Sequence, residues 1–373
     1  MIQVVPVNTP ALRRAFVDLA WTLRGSTPAW VPPWRPDQVR LLDPGRGDFF
    51  RSPGNRVDLF LARRDGAWVG RIAAIHNATH LATHGDGAGF FGFFECADDR
   101  EAAAALLRRA EDWIRDDGLR IARGPANLSI QEEAGVLLDG FEHQPMAGMN
   151  HTPPYYRDLL ESAGYTKAKD LLVFRADPTT TRFDQLGRIS AAAERQSGLR
   201  VRTLDMGALE PEAVFLARVF ADAWRDNWGA VPIGAAEFQQ AYEHYRMFLV
   251  PELVYLAEVG GEPAGAFIAL PDMNVLVKAA GGRMWPLGWW RMLAGRRRLT
   301  RYRVLMMGVR PQYRRHGIPL VFLHRCSQEL LRRGMTLVEF SWVLEDNHET
   351  IAIIERIGGH RVQTLRLYEK EVS

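Results

Sequence analysis

The sequence contains little cysteine, little lysine and no long apolar run. Two cysteines, Cys96 and Cys326, cannot build a disulfide framework in 373 residues, and neither stands at a spacing typical of metal ligands. No run of 18 apolar residues is present, so no membrane-spanning helix is predicted. The first residues lack the basic and then apolar segments of a secretory signal. These absences favour a reducing, cytoplasmic compartment, and a hydrophobic fraction of 47% predicts a globular chain with a sizeable core.

Positive charge is concentrated in one segment. Lysine and arginine total 47, of which 43 are arginine, against 44 acidic residues, so the net charge is +3. Residues 275–303 contain eight of these positive side chains and no acid, which leaves the rest of the chain at −5 (3 − 8). Basic and aromatic side chains together favour contact with an anionic membrane surface, although a buried aromatic flap fits the same composition. No nucleic-acid motif accompanies the charge, so no nucleic-acid partner is predicted.

An internal repeat organises the chain. Residues 61–75 resemble residues 256–270, and both stretches are typical of a β-hairpin with a glycine turn. Further along each half, amphipathic helices are predicted at 100–117 and 319–333, each ended by a glycine. A third match joins the segments that precede the last strand of each half. The three matches occur in the same order along both halves. The chain is therefore interpreted as two copies of one unit.

The repeat predicts the architecture. Helices fall between strands in both halves, so we expect an α/β (α+β) fold of two tandem domains, 1–177 and 178–373, each a mixed sheet flanked by helices. The spacing of the matches differs between the halves, which places one insertion in each copy, within 119–159 and within 271–307.

One loop carries a strong chemical signal. Residues 309–320 (VRPQYRRHGIPL) follow a predicted strand and open a predicted helix. A basic turn with glycine at that place directs N–H groups and the positive helix end at one point, which favours an anion. The pattern resembles the pyrophosphate loop of Gcn5-related (GNAT) acyltransferases, and the matching residues are Val309, Pro311, Arg314 and Gly317. Pro319 departs from the pattern and removes one N–H donor.

This resemblance implies an acyl-CoA donor that binds as a substrate, with no permanently bound cofactor and no metal. The residues expected to hold the donor are Gly308, Val309, Arg314, Arg315, His316, Gly317 and Ile318. In the first copy the corresponding stretch is Asp98–Glu101, with three acids and no glycine, which repels a pyrophosphate. We therefore expect only the second copy to bind acyl-CoA. The first copy is expected to supply the acceptor side or to act as a scaffold.

The catalytic groups are expected around the strand 337–344. In GNAT-type enzymes an amine attacks the thioester while a carboxylate takes its proton through water. Glu339, Glu345 and Asp346 are the candidate bases, although alternation along the strand favours an exposed Glu339. Asn347 completes the predicted set and is also a candidate cap for the following helix. The family's tyrosine acid falls on Ile354 here, so Tyr368 or solvent is expected to protonate the leaving thiolate.

The two insertions are candidates for holding the acceptor. The first contains polar side chains that suit an amine-bearing head group, and the second contributes aromatic ones. The predicted substrate-binding residues are Asn127, Glu132, Glu133, Asn150, His151, Tyr156, Trp285 and Trp289. Ser129 begins a capping-box pattern, so a helix start with ordinary turn chemistry is the alternative for the first insertion.

Three histidines spaced four apart, His76, His80 and His84, suggest a metal site. The stretch runs out of a hairpin into glycine-rich sequence, so we interpret them as solvated loop histidines.

Nearly the whole chain resembles the tandem GNAT-like family that includes bacterial ceramide synthase. The resemblance rests on residues 28–33, 69–74, 89–95, 127–141, 153–156 and 341–347. It implies transfer of a fatty acyl group from long-chain acyl-CoA to a sphingoid base, sphinganine or 3-ketosphinganine, by a protein peripheral at the inner membrane. Two alternatives stay open: an acyl- or aminoacyltransferase acting on a peptide, cell-wall or small amine acceptor, and an acyl-CoA- or lipid-binding protein without turnover.

Overall fold

The computed structural model describes residues 1–195, 198–246, 248–281, 294–295 and 298–372. Contacts within the chain divide it into two units. Unit 1 consists of Met1–Leu171, Asn274–Leu293 and Gln363–Ser373. Unit 2 consists of Leu172–Met273 and Ala294–Val362.

Both units combine strands with helices. The strands are β1 Ile2–Pro6, β2 Arg56–Arg64, β3 Ala67–His76, β4 Ala88–Cys96, β5 Ile121–Gly124, β6 Val136–Leu137, β7 Thr166–Ala176, β8 Leu199–Thr203, β9 Val254–Val259, β10 Glu262–Pro271, β11 Arg301–Val309, β12 Leu337–Leu344 and β13 His360–Glu371. The α-helices are α1 Pro10–Arg24, α2 Arg35–Leu41, α3 Ala78–His84, α4 Arg100–Asp116, α5 Tyr156–Ser162, α6 Phe183–Glu194, α7 Leu209–Ala223, α8 Ala235–Tyr245, α9 Asn274–Ala279, α10 Ile318–Arg332 and α11 His348–Arg356.

The sheet of unit 1 follows the order β1-β2-β3-β4-β5-β13, with β7 beside β13. Strands β1 to β4 are antiparallel neighbours, whereas β4 and β5 are parallel. The last strand of the chain, β13, is antiparallel to β5 and also pairs with β6. Both directions occur, so the sheet is mixed.

The sheet of unit 2 repeats this order as β8-β9-β10-β11-β12, with the second part of β7 beside β12. Strands β8 to β11 are antiparallel neighbours, and β11 and β12 are parallel. The predicted hairpins are β2–β3 and β9–β10. Helices α4 and α10 begin and end within one residue of their predicted limits. The predicted fold class, mixed sheets flanked by helices, is confirmed.

The repeated helix α4 shows why the sequence folds this way. Asp99 caps its first turn by accepting hydrogen bonds from two backbone N–H groups. Apolar residues at helical spacing, Leu106, Ala110 and Ile114, are fully buried in the core of unit 1. Each such leucine or isoleucine contributes about 1.5–3 kcal/mol when it leaves water. Gly118 then adopts a φ of +79° and ends the helix.

The two faces of the unit 2 sheet bury different helices. Along β10, Phe267 packs in a core with α6 and α10, and its neighbour Ala266 packs with α7. This alternation is the period-two pattern of a strand buried on both sides. Among the described residues no helix is long and apolar enough to cross a membrane.

The histidine segment differs from the prediction. His76 ends strand β3, and the other two histidines lie on helix α3, where His80 is only 2% exposed, so these are not solvated loop histidines. Nε2 of His80 lies 3.2 Å from Asp86, and burial lowers the pKa of His80. The helix starts because the side chain of Asn77 accepts the N–H of His80, a cap that the sequence reading missed. In the described ranges no group of three His, Cys, Asp or Glu side chains has the arrangement of a metal site.

Candidate active site

The loop after β11 is a basic turn that ends at a helix N-terminus. A short 3-10 helix, Pro311–His316, leads from β11 towards α10. Gly317 joins the two with a φ of +69°, and a Cβ there would lie 2.9 Å from the Cβ of Ala193. Both the backbone angle and this close approach require glycine. The N–H groups at the start of α10 and the positive end of the helix favour an anion at this point.

The side chains of this loop leave positive charge available. Arg314 and Arg315 are exposed, and within the described residues neither is paired with an acidic side chain. His316 packs its ring 5.7 Å from that of Tyr313. The Nδ1 atom of His316 is buried and lacks a hydrogen-bond partner in the described part of the chain. The loop therefore offers a ligand the guanidinium groups of two exposed arginines and the imidazole of one histidine.

The strands beside this loop separate. Residues Arg301–Val304 of β11 pair with Leu337–Phe340 of β12, and both strands continue beyond the paired part. At the same level the register between β10 and β11 shifts by one residue, because Val304 and Met306 face successive residues of β10. Leu305 is the extra residue, and it is 44% exposed. The bulge therefore presents backbone groups at the mouth of the opening.

Polar residues follow β12 directly. Glu345 is half-buried and Asp346 is exposed. The side chain of Asn347 accepts a hydrogen bond from the N–H of Thr350 at 3.2 Å, so the predicted cap of α11 is confirmed. Strand β12 and its parallel neighbour β11 both end here, at the edge where open α/β sheets place ligands.

Glu339 is not exposed, contrary to the alternation argument. It is 1% exposed and its Oε2 accepts hydrogen bonds from Arg175 at 2.8 and 2.9 Å. Its Oε1 accepts the hydroxyl of Ser341 at 2.8 Å, and that hydroxyl accepts a hydrogen bond from Arg303. A carboxylate can be buried when it is paired and hydrogen-bonded in this way.

Two further positions near the loop have packing roles. A Cβ on Gly308 would lie 2.0 Å from the indole of Trp224, so this glycine admits the tryptophan ring. Trp224 stacks on Phe220 with ring centroids 4.7 Å apart. Ile354, at the expected tyrosine position, is 1% exposed within the core of unit 2.

In unit 1 the corresponding opening is filled by the chain itself. Strands β4 and β5 pair only as far as Phe90 and Arg123. The N–H of Ala126 then donates to the carbonyl of Phe91 at 2.8 Å. The N–H of Phe93, a residue with a φ of +49°, donates to Oδ1 of Asn127 at 2.6 Å. We call residues 125–134, which fill the opening, the plug.

The start of α4 also differs from the start of α10. Asp99 caps the helix and pairs with Arg64, with distances of 2.8 to 3.0 Å. Glu101 pairs with the same arginine at 2.8 Å. Asp99 thus occupies N–H groups of the first turn and Glu101 adds negative charge there, so this terminus does not favour a phosphate.

Part of the predicted acceptor set lies within or next to the plug. Nδ2 of Asn127 donates to Oε2 of Glu133 at 3.1 Å. The surrounding protein desolvates Glu133 and, together with the charge of Glu132, raises the pKa of Glu133 to about 7. Glu133 is half-buried whereas Glu132 is exposed, so both carboxylates can be reached from solvent. Ser129 starts no helix: its hydroxyl accepts the N–H of Gln131 in a turn, which corrects the capping-box reading.

The other predicted acceptor residues have different surroundings. The hydroxyl of Tyr156 donates to Glu95 at 2.7 Å, and Arg24 lies between Glu95 and His151. The side chain of Asn150 donates to the carbonyl of Gly135 and thereby holds the chain after the plug. The predicted residues Trp285 and Trp289 lie outside the described residues.

Comparison with known proteins identifies the family. No family model matches the chain. Bacterial ceramide synthase of Caulobacter vibrioides is 35% identical over 384 aligned residues, which cover 99% of this chain and 97% of that protein. The chain belongs to the bacterial ceramide synthase family. Protein YghO of Escherichia coli is 30% identical, with 96% and 93% of the two chains covered.

The fold of this ceramide synthase homologue has solved counterparts. A tandem GNAT protein from the clavulanic acid biosynthesis pathway superposes with a TM-score of 0.59 at 15% identity, over 100% of this chain and 99% of that one. The predicted tandem GNAT fold is thus confirmed, and so is the predicted enzyme class, an N-acyltransferase. The GNAT fold implies an acyl-CoA donor.

Tyr368 of this ceramide synthase homologue lies in unit 1. It is 1% exposed, and its hydroxyl donates to Glu161 at 3.0 Å. Burial, followed by the bond to Glu161, raises the pKa of Tyr368. A buried phenol that is already bonded to a carboxylate is a poor proton donor.

Sequence reasoning missed three charged residues in unit 1 of this family member. Arg71 and Glu95 are cross-strand neighbours on β3 and β4, and Arg24 ends α1. Arg71 and Glu95 both stand in the stretches that carry the family resemblance, which was the one available signal. Strand register, which brings them together, cannot be derived from single segments.

Proposed function

We propose that this protein transfers a long-chain fatty acyl group from acyl-CoA to the amine of a sphingoid base, sphinganine or 3-ketosphinganine. The observation that carries the proposal is the 35% identity to bacterial ceramide synthase along 99% of the chain. The basic loop and the separated strands of unit 2 support the donor side. We propose that residues 178–373 bind the donor and that residues 1–177 supply the acceptor side.

The donor would bind at the loop between β11 and α10. Its pyrophosphate would accept the N–H of Ile318 and meet the charges of Arg314 and Arg315. The proposed donor-binding residues also include His316, Gly317 and the end of β11 at Gly308 and Val309. Glycine is needed at 317 because of its positive φ, and at 308 because a Cβ there would meet the ring of Trp224. The pantetheine would pass between β11 and β12, which places the thioester at the bulge. A backbone N–H there would stabilise the oxyanion.

The proposed reaction joins nitrogen to the acyl carbon. The amine lone pair attacks the thioester carbonyl, the C–N bond forms, the C–S bond breaks, and CoA leaves as a thiolate. Glu345 would take the amine proton through water, and Asn347 would hold the turn that carries it. Since Tyr368 is bonded to Glu161, we assign protonation of the thiolate to solvent. Glu339, whose oxygens are both occupied, would position β12.

The acceptor is an amphiphile, so it would be drawn from a membrane surface. The basic segment 275–303 supports a peripheral position on anionic lipid at the inner membrane. Trp285 and Trp289 are the proposed contacts for the alkyl chains.

The test is CoA release from palmitoyl-CoA with sphinganine or 3-ketosphinganine in mixed micelles, with mass spectrometry of the product. We expect an amide from at least one base. Arg314→Glu should remove it, whereas Arg200→Glu, at an exposed arginine on β8, should not. CoA release without an amide, or palmitoyl-CoA binding without product from either base, would overturn the proposed acceptor.

A further inference from the structure

Unit 1 contains a buried cluster of charged side chains that donor binding does not use. It lies on the side of the sheet covered by α1, since Nη1 of Arg71 donates to the carbonyl of Phe16 at 2.6 Å. We call this cluster the polar recess. Its members are Arg24, Arg71, Glu95, Asn127, Glu133 and Tyr156, which the contacts described above and electrostatic interactions with Arg71 connect.

Two arginines of the polar recess have unused donors. Arg24 and Arg71 are 1% and 4% exposed. In the part of the chain that the structure describes, the Nε–H of each lacks a hydrogen-bond partner. Buried donors are nearly always satisfied in folded proteins, so two unpartnered N–H groups in one cluster are well suited to donate to the oxygen of a ligand.

Of the two carboxylates of the polar recess, Glu133 is the one without an ion pair among the described residues. Glu133 accepts one hydrogen bond from Asn127, and among the described residues no arginine, lysine or histidine forms an ion pair with it. Glu95 accepts from Tyr156 at 2.7 Å and has Arg24 at 3.5 Å. Glu133 is half-buried beside a second glutamate, so a cation that reached it would be held strongly.

Apolar surface adjoins these polar groups. The guanidinium of Arg24 lies 5.7 Å from the centre of the Trp30 ring, and Trp30 is half-buried. Trp21 packs edge-on against the same ring, with centroids 6.0 Å apart. Donors, acceptors and an aromatic wall together suit a molecule with a polar head and a hydrocarbon chain.

We infer that, before acyl transfer, the polar recess binds the amino-alcohol head group of the acceptor, with its ammonium on Glu133 and its hydroxyl or ketone oxygen on the Nε–H groups of Arg71 and Arg24. The identity of the acceptor rests on the proposed function, whereas the chemistry of the recess does not. A 2-amino-1,3-diol or its 3-ketone offers both groups on adjacent carbons. The site is thus specific for a vicinal amine and oxygen on a long chain.

The test measures acceptor binding without turnover. The full-length protein is titrated in mixed micelles, in the absence of acyl-CoA, with sphinganine, with octadecylamine and with a long-chain 1,3-diol that lacks the amine. Glu133→Gln should weaken binding of both amines at least tenfold and leave the diol unaffected. Arg71→Lys should weaken the binding of sphinganine and of the diol more than the binding of octadecylamine, because only the first two ligands carry oxygen.

Controls separate this inference from folding and from the proposed function. Glu142→Gln changes a carboxylate of unit 1 that is 74% exposed, and it should bind all lipids like the parent protein. Diol binding should stay unchanged in Glu133→Gln, which excludes a folding defect of unit 1, and palmitoyl-CoA affinity should stay unchanged as well. Equal affinity of parent and Glu133→Gln for the amines would overturn the inference. If the parent protein binds amines in a way that depends on Glu133 but forms no amide, the inference about the polar recess stands and the proposed acceptor is rejected.

Discussion

The two units contain the same opening between parallel strands and treat it in opposite ways. In unit 2, β11 and β12 stop pairing after Val304 and Phe340, and the bulge residue Leu305 stays exposed. In unit 1, β4 and β5 stop pairing after Phe90, and the plug bonds to the free strand edge. One copy of a duplicated fold can therefore keep the opening for a ligand while the other closes it with its own chain.

The helix that follows each opening carries the same difference in charge. Helix α10 begins after two exposed arginines and a left-handed glycine, whereas α4 begins with acids that pair with Arg64. An N-terminus that is already occupied by carboxylates has no remaining attraction for a phosphate. Strand opening and helix start thus change together, which supports the proposed division of roles between the copies.

The largest expected effect comes from reversing the charge at the start of α10. Arg314→Glu combined with Arg315→Glu should abolish detectable turnover and weaken palmitoyl-CoA binding by about 100-fold or more, because the two proposed contacts with the pyrophosphate would become repulsive. Arg100→Glu, at the start of α4, is the matched control in unit 1 and should retain affinity. Isothermal titration with palmitoyl-CoA measures both. Comparable losses in the two variants would contradict the division of roles.

The next effect concerns the carboxyl end of β12. Glu345→Gln should lower kcat by about 100-fold, within the range for loss of a general base, while the Kd for palmitoyl-CoA changes less than twofold. Initial rates and titration separate the two quantities. Glu349→Gln, on the first turn of α11, serves as the control. Unchanged turnover in Glu345→Gln would remove this residue from the mechanism.

The plug should make the stability of unit 1 depend on pH through Glu133. The pKa of Glu133 is about 7 in the folded protein and lies near 4.5 when unfolded, so the folded state holds the proton more tightly. Stability should therefore fall as pH rises from about 4.5 through 7. The full shift corresponds to at most about 3 kcal/mol, and to less here because Glu133 still touches water. Urea unfolding at pH 5 and at pH 8 should show that the free energy of unfolding falls less between these two pH values in Glu133→Gln than in the parent protein.

The sequence was sufficient for most of the elements and for the position of the basic loop after β11, because both depend on local patterns. Hairpins, helix ends and the basic turn at Gly317 each lie within a few consecutive residues. The burial of Glu339 was not predictable in this way, since its partner Arg175 lies on another strand. The polar recess was likewise missed, because Arg71 and Glu95 meet only through the register of β3 and β4.

The smallest expected effect tests the plug itself. Asn127→Ala removes the acceptor of the Phe93 N–H, and Phe93 is 3% exposed, so the variant should lose about 1–3 kcal/mol of unfolding free energy. Urea denaturation measures the loss, and Asn8→Ala at an exposed position near the N-terminus controls for the substitution. The variant should still bind one palmitoyl-CoA per chain, because Asp99 and Glu101 continue to occupy the start of α4. A second binding event would mean that the plug alone, and not the charge at that helix, keeps unit 1 closed to the donor.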